Sequence, residues 1–136
     1  MSGFAAERQA IESRMAANFT TIPIRYENVP FKETQTAYCA LFIRRGEGHL
    51  ITLGPAPQLQ RWAGIIAVQV FVPEDTGTET PSSYADNIAS VFNRQEFSAG
   101  ASGLIRCRTP RVETVGTRNG WFQINVTTPY IRDKSV

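Results

Sequence analysis

The segment that most limits the possible folds of this chain runs from Trp62 to Val72, because it is apolar at nearly every position. Gln69 is the one polar side chain within it. A strand that points apolar side chains in both directions is typical of the centre of a sheet, where protein covers both faces. The segment therefore predicts a central strand with protein packed on each side.

A helix is predicted near the N-terminus, over residues 4–19. Its apolar stripe consists of Phe4, Ile11, Met15 and Phe19. The charged residues Glu7, Arg8, Glu12 and Arg14 are predicted to occupy the other faces. Thr20-Thr21 should end the helix, since Pro23 disfavours a helical conformation in the residue before it.

A second helix is predicted to begin at Thr80-Pro81 and to run to about Arg94. Thr80 has the side chain of an N-cap, and proline is favoured at the first helical position, where its missing N–H breaks no hydrogen bond.

Several shorter segments have the composition of strands. In the first half of the chain these are residues 22–26, 37–44 and 49–53, with a turn predicted at Arg45–Gly48. In the second half they are residues 104–108 and 111–115, followed by a hairpin turn at Asn119-Gly120. The last strand alternates, with Phe122, Ile124 and Val126 on one face and Gln123, Asn125 and Thr127 on the other.

The order helix, strands, helix, strands predicts an α+β fold. Two helices should pack on one mostly antiparallel, twisted β-sheet with a protruding β-hairpin. A chain of 136 residues fits one domain, 1–136, with an ordered core over about 4–132.

Composition excludes several classes of protein. Hydrophobic residues make up 42% of the chain and charged residues 19%, which is unlike an intrinsically disordered protein. No stretch approaches the ~20 apolar residues of a membrane-spanning helix. The N-terminus MSGFAAERQAIESR has no apolar core of a secretory signal, so folding is expected in a cytoplasm. In that compartment Cys39 and Cys107 are expected to be reduced and buried.

Residue patterns that carry catalysis or bind cofactors are missing from the sequence. His49 is the single histidine, and it lies beside a predicted turn without a neighbouring ligand. No CxxC, GxSxG or phosphate-binding loop is present. The sequence therefore predicts a protein that is not an enzyme and that holds no cofactor or metal.

Arginine dominates the basic residues, with twelve arginines and two lysines against twelve acidic side chains. The arginines are scattered rather than gathered into a basic stripe, and the net charge is only +2, which disfavours nucleic-acid binding. Arginine is common in protein interfaces. Candidate interface residues are Arg44, Arg45, Glu47, His49, Arg61, Gln123, Asn125 and Thr127. An ordinary solvated sheet face and hairpin tip are the alternative interpretation.

The order of motifs resembles that of a known family. A leading helix is followed by Tyr26-Glu27-Asn28-Val29-Pro30-Phe31, by Leu53-Gly54 and by the apolar segment Arg61–Pro73. Then come Gly77, a helix ending in Ile88-Ala89-Ser90-Val91-Phe92, and the closing Gly120–Val126 with Pro129-Tyr130. Over roughly residues 4–132 this pattern is similar to the tail terminator, or tail completion, proteins of long-tailed bacteriophages, the lambda-like terminator group.

This resemblance implies an α+β subunit that assembles into a ring, expected to be a hexamer. Such a ring would cap the tail tube, stop its polymerisation and offer a docking surface to the neck or connector protein at the tail–neck junction of the virion. The expected partners are further copies of the chain, the tail tube protein and the connector. DNA would pass through the ring without sequence-specific binding.

Two other functions remain open at this point. One is a different neck, head–tail joining or minor tail protein of similar size. The other is a small ligand-binding α+β domain, with Tyr26, Tyr38, Trp62 and Trp121 lining a pocket.

Overall fold

The structure is a computed structural model. It describes residues 3–27, 36–52, 54, 58–74, 77 and 79–135. The motif residues Asn28–Phe31 and Leu53 lie outside this described part, so the structure does not bear on them. Within it, no helix is long and apolar enough to span a membrane.

Two helices are present, α1 (Phe4–Asn18) and α2 (Glu79–Phe92). The predicted extent of α1 is confirmed, and Phe19 follows its last turn as the C-cap. The predicted N-cap of α2 is wrong, because the helix already includes Glu79 and Thr80. Pro81 still lies within the first turn, where backbone N–H groups lack helical partners and a proline is tolerated.

Seven strands form one sheet. They are β1 (Ile24–Tyr26), β2 (Tyr38–Leu50), β3 (Leu59–Pro73), β4 (Glu96–Ser98), β5 (Leu104–Cys107), β6 (Arg111–Arg118) and β7 (Trp121–Ser135). A short 3₁₀ turn, Gly100–Ser102, joins β4 to β5. The strand order is β1-β2-β3-β7-β5-β4, and β6 also pairs with β7. Only the pair of β1 and β2 is parallel, so the predicted α+β class with a mostly antiparallel sheet is confirmed.

The central strand is β3, as the apolar segment predicts, and it pairs along its whole length with β7. Its buried side chains are Ile66, Val68, Val70 and Val72, which belong to the face covered by α1 and α2. The cover predicted for the second face is incomplete, because Ile65 remains 41% exposed there. We call this second side of the sheet the helix-free face.

The turn predicted at Arg45–Gly48 is wrong, because β2 continues through these residues to Leu50. His49 lies opposite Arg61 on β3, and a bulge between Arg45 and Gly48 absorbs the irregular register. Position 48 has room only for glycine, because a Cβ atom there would collide with the indole of Trp62. The predicted hairpin between residues 37–44 and 49–53 is therefore wrong, since His49 and Leu50 continue β2 and pair with β3, to which β2 connects beyond Leu50.

The second hairpin matches its prediction. Asn119 and Gly120 connect β6 to β7 with φ angles of 52° and 84°, which are the left-handed conformations of a tight hairpin turn. Asn tolerates this region and glycine adopts it freely. A bulge between Thr114 and Gly116 interrupts the pairing of β6 with β7.

The cysteines are buried as predicted. Cys39 and Cys107 are both free thiols within the hydrophobic core. Burial raises the pKa of each thiol to about 12, so neither forms a thiolate near neutral pH. They act as small apolar side chains in the core.

Val68→Asp should prevent folding, because Val68 is 1% exposed and an unpaired carboxylate would be buried in the central strand. The expected result is insoluble protein or protein without a cooperative unfolding transition in circular dichroism. Ile65→Asp on the same strand is the matched control, and it should fold because its side chain reaches solvent. A soluble, cooperatively unfolding Val68→Asp protein would contradict the assignment of this face to the core.

Candidate interaction surface

A buried charged cluster lies between α1 and β7. Nε of Arg132 donates a hydrogen bond of 2.7 Å to Oε2 of Glu7, and the hydroxyl of Tyr130 donates to Oε1 of the same carboxylate. Nη1 of Arg132 donates to the backbone carbonyl of Ser102 over 2.6 Å. Glu7 and Arg132 are 1% and 0% exposed, so the cluster is closed to solvent.

Aromatic rings and a second arginine surround this cluster. The guanidinium of Arg132 lies 4.5 Å from the ring centre of Trp62. Arg45 places its guanidinium 4.8 Å from the ring centre of Phe4 and its Nε 3.4 Å from Oε1 of Glu7. Arginine stacked on aromatic rings is stabilised by the negative face of the ring system. The cluster therefore joins α1 to β2, β3 and β7.

The prediction for Glu7 is wrong, because it was placed on a polar face of α1 and is instead buried. Glu7, Ile11 and Met15 are the buried residues of this helix, four positions apart. A buried carboxylate is tolerated when it is paired and hydrogen-bonded. Arg132 supplies that pairing, and burial together with the bond to Glu7 raises the pKa of Tyr130, which keeps its hydroxyl protonated as the donor.

The cluster is complete within the chain. Among the described residues, no buried side-chain nitrogen or oxygen lacks a hydrogen-bond partner. The hydrogen bonds of the cluster connect α1 to the sheet. Within the described part, no three His, Cys, Asp or Glu side chains lie close enough together to hold a metal ion.

Most of the predicted interface residues share the helix-free face. Directly opposite residues of paired strands point to the same side of a sheet, so the register assigns each side chain to a face. The helix-free face includes Arg25, Tyr38, Arg44, His49, Arg61, Ile65, Trp121, Gln123, Asn125, Thr127 and Pro129.

Two predicted residues separate from this group. Arg45 turns towards α1, where it contacts Phe4 and Glu7. Glu47 is exposed within the bulge of β2. Assignment of all eight residues to a subunit or partner interface stays a prediction, since the structure is that of one chain.

Four of the predicted interface residues on this face also make hydrogen bonds within the chain: Arg61, Gln123, Asn125 and Thr127, whose hydroxyl donates to the backbone carbonyl of Arg111 over 3.5 Å. Arg61 forms a bidentate pair with Asp133, with distances of 2.7 and 2.9 Å, and these hydrogen bonds hold the pKa of Asp133 below its usual range. Gln123 donates to the amide oxygen of Asn125 over 2.8 Å. The polar half of β7 is therefore an ordered surface.

The helix-free face contains an exposed apolar region, which we call the sheet patch. It consists of Ala63, Ile65, Pro129 and Ile131, with Arg44 beside Ile65. A shallow depression of about 290 Å³ adjoins it between β2 and β3. Exposed apolar area bordered by arginine is characteristic of protein interfaces.

The aromatic side chains proposed as a ligand pocket do not converge. Tyr38 stacks on Phe71 at 5.0 Å and meets Trp121 edge-on at 5.3 Å, beside a depression of about 370 Å³ on the helix-free face. Trp62 lies on the opposite side of the sheet, under α1. Tyr26 also points to that side.

The structure thus defines an α+β protein with a buried core and, on its helix-free face, an exposed apolar patch bordered by arginine. A comparison with protein families identifies which kind. The family described as "Phage tail terminator protein" matches residues 7–130. The chain belongs to the phage tail terminator family, which gives it a structural role in a bacteriophage tail and makes it a component of the virion.

Comparison with solved structures supports the fold. Seventeen solved chains match. One of them has 18% sequence identity and a TM-score of 0.74, and the match covers 94% of both chains. At this identity the likeness establishes the fold alone. No curated protein matches the sequence.

Arg132→Met should destabilise the protein by about 3–5 kcal/mol, because it leaves the Glu7 carboxylate buried without its cation. Urea unfolding followed by circular dichroism measures the loss. Arg61→Met is the matched control, since its pair with Asp133 is partly exposed and should contribute much less to stability. If both variants lost the same unfolding free energy, the buried pair would contribute no more to stability than the exposed one.

The Arg61–Asp133 pair should also give a pH dependence. Because the folded pKa of Asp133 is depressed, its contribution to stability is present above its unfolded pKa of about 3.9 and is lost as the pH falls through the folded value. The difference in unfolding free energy between the wild type and Asp133→Asn should therefore be constant from pH 5 to 7 and should shrink below about pH 4. A difference that grows on acidification would contradict this sign.

Proposed function

We propose that this chain is the subunit of a ring, expected to be a hexamer, that caps the phage tail tube. The ring ends polymerisation of the tube and provides the docking surface for the head–neck connector. The observation that carries the proposal is the family match over residues 7–130 of a 136-residue chain. The protein acts by contact with other proteins and not as an enzyme.

The arrangement of surfaces supports a ring. Identical subunits close a ring through head-to-tail contacts, so each subunit needs two different complementary surfaces. The sheet patch and the outer side of the helices are two such surfaces, on opposite sides of one sheet. Beyond its own copies, the partners are the tail tube protein and the connector.

The charge of the chain suits a conduit. With a net charge of only +2 per subunit, the lumen of the ring would make few strong contacts with DNA phosphates. DNA could therefore pass through it without sequence-specific binding. The ring would lie at the tail–neck junction, after synthesis of the subunit in the host cytoplasm.

Deletion of the gene from its phage should produce tails of uncontrolled, greater length that fail to join heads. Electron microscopy of lysates measures tail length, and a plasmid copy of the wild-type gene is the control that restores it. Mass spectrometry of purified tails should detect the protein, and cryo-electron microscopy should locate it at the head-proximal end of the tube. Normal tail length without the gene would overturn the proposal.

A further inference from the structure

The helix-free face and the outer face of α2 carry opposite charges. Arg25 and Arg44 are exposed on the first, and neither is a member of an ion pair within the described residues. Glu79 and Asp86 are exposed on the second, and the sequence of α2 contains no lysine or arginine. Complementary potentials on two surfaces give orientation and register to a contact between proteins.

The spacing of these charges is compatible. Arg25 lies one strand across and four residues along from Arg44, which places their backbones about 14 Å apart. Glu79 and Asp86 are seven residues apart on one side of α2, about 10 Å along the helix axis. The long, flexible arginine side chains can make up the difference of about 4 Å between the two spacings.

The surfaces between the charges also fit a contact. The sheet patch offers exposed apolar area at Ile65 and Pro129. The exposed neighbours of Asp86 on α2 are short, namely Ser82, Ser83, Asn87 and Ser90. Short side chains let the helix backbone come close to the patch and exclude water from it.

The two surfaces cannot meet within one molecule, because α2 packs on the other side of the sheet. We infer that the sheet patch of one copy of this chain packs against the outer face of α2 of the next copy, with Arg44 facing Asp86. This inference rests on the proposed ring, and it names the partner of the sheet patch as a second copy of the same chain.

Paired charge reversals test the contact, in a phage that lacks the gene and receives it from a plasmid. Arg44→Glu and Asp86→Arg should each lower the yield of infectious particles at least tenfold, because each places like charges across the contact. The combined variant, Arg44→Glu with Asp86→Arg, restores opposite charges and should recover to within threefold of the wild type.

Arg118→Glu is the matched control. Arg118 is also exposed on the helix-free face, on β6 at the turn to β7, away from the sheet patch, and its reversal should change the yield less than threefold. Thermal unfolding of each purified variant should match that of the wild type, since both Arg44 and Asp86 are exposed.

The outcomes separate the inference from the proposed function. If the single reversals leave the yield unchanged, or if the combined variant is no better than either single variant, the contact between copies is wrong while the terminator role stands. Loss with Arg44→Glu alone would assign the patch to another protein and would also overturn the inference. Failure of the terminator role itself would appear as normal tails without any plasmid.

Discussion

The ion pair of Glu7 and Arg132 is the interaction on which the rest of the structure depends. It joins the first helix to the last strand. Tyr130 and the Ser102 carbonyl complete its hydrogen bonds, and Arg45 adds a second ion-pair contact to Glu7. A buried pair is a poor source of net stability compared with apolar packing, but an incomplete one is very costly. α1 therefore has one favourable position on the sheet, because any other would leave a charge buried without its partner.

The arginines have two kinds of role. Arg132 and Arg45 stack on Trp62 and Phe4 inside the fold, where a planar guanidinium serves as both a cation and a flat packing surface. Arg25 and Arg44 extend from the helix-free face without an ion-pair partner in the described part of the chain. Part of the preference for arginine over lysine therefore comes from stacking inside the fold. The positions of the arginines in the sequence do not show this contact.

Local patterns predicted the elements well and the charged core poorly. The nearly all-apolar segment Trp62–Val72 predicted β3 and the Asn-Gly pair predicted the β6–β7 turn, because both signals depend on neighbouring residues. The glycines at 46 and 48 also suggested a turn, yet Gly48 makes room for Trp62, a contact across strands that no local pattern shows. Glu7 is four residues before the buried Ile11 on the helix, and Arg132 is two residues after the buried Tyr130 on its strand. These spacings were the sequence signal that both charged residues face the core.

Strand β6 has a consequence for a protein whose proposed task is to end a polymer. All but one of its residues are exposed, and in the described structure only β7 pairs with it. An open strand edge is a template on which further strands can add without limit. The bulge at Thr114 and Gly116 breaks the regular sequence of backbone donors and acceptors, and the strand has charged side chains at Arg111, Glu113 and Arg118. These features of β6 therefore disfavour the addition of strands from other chains, so the subunit that ends a polymer does not itself seed one through this edge.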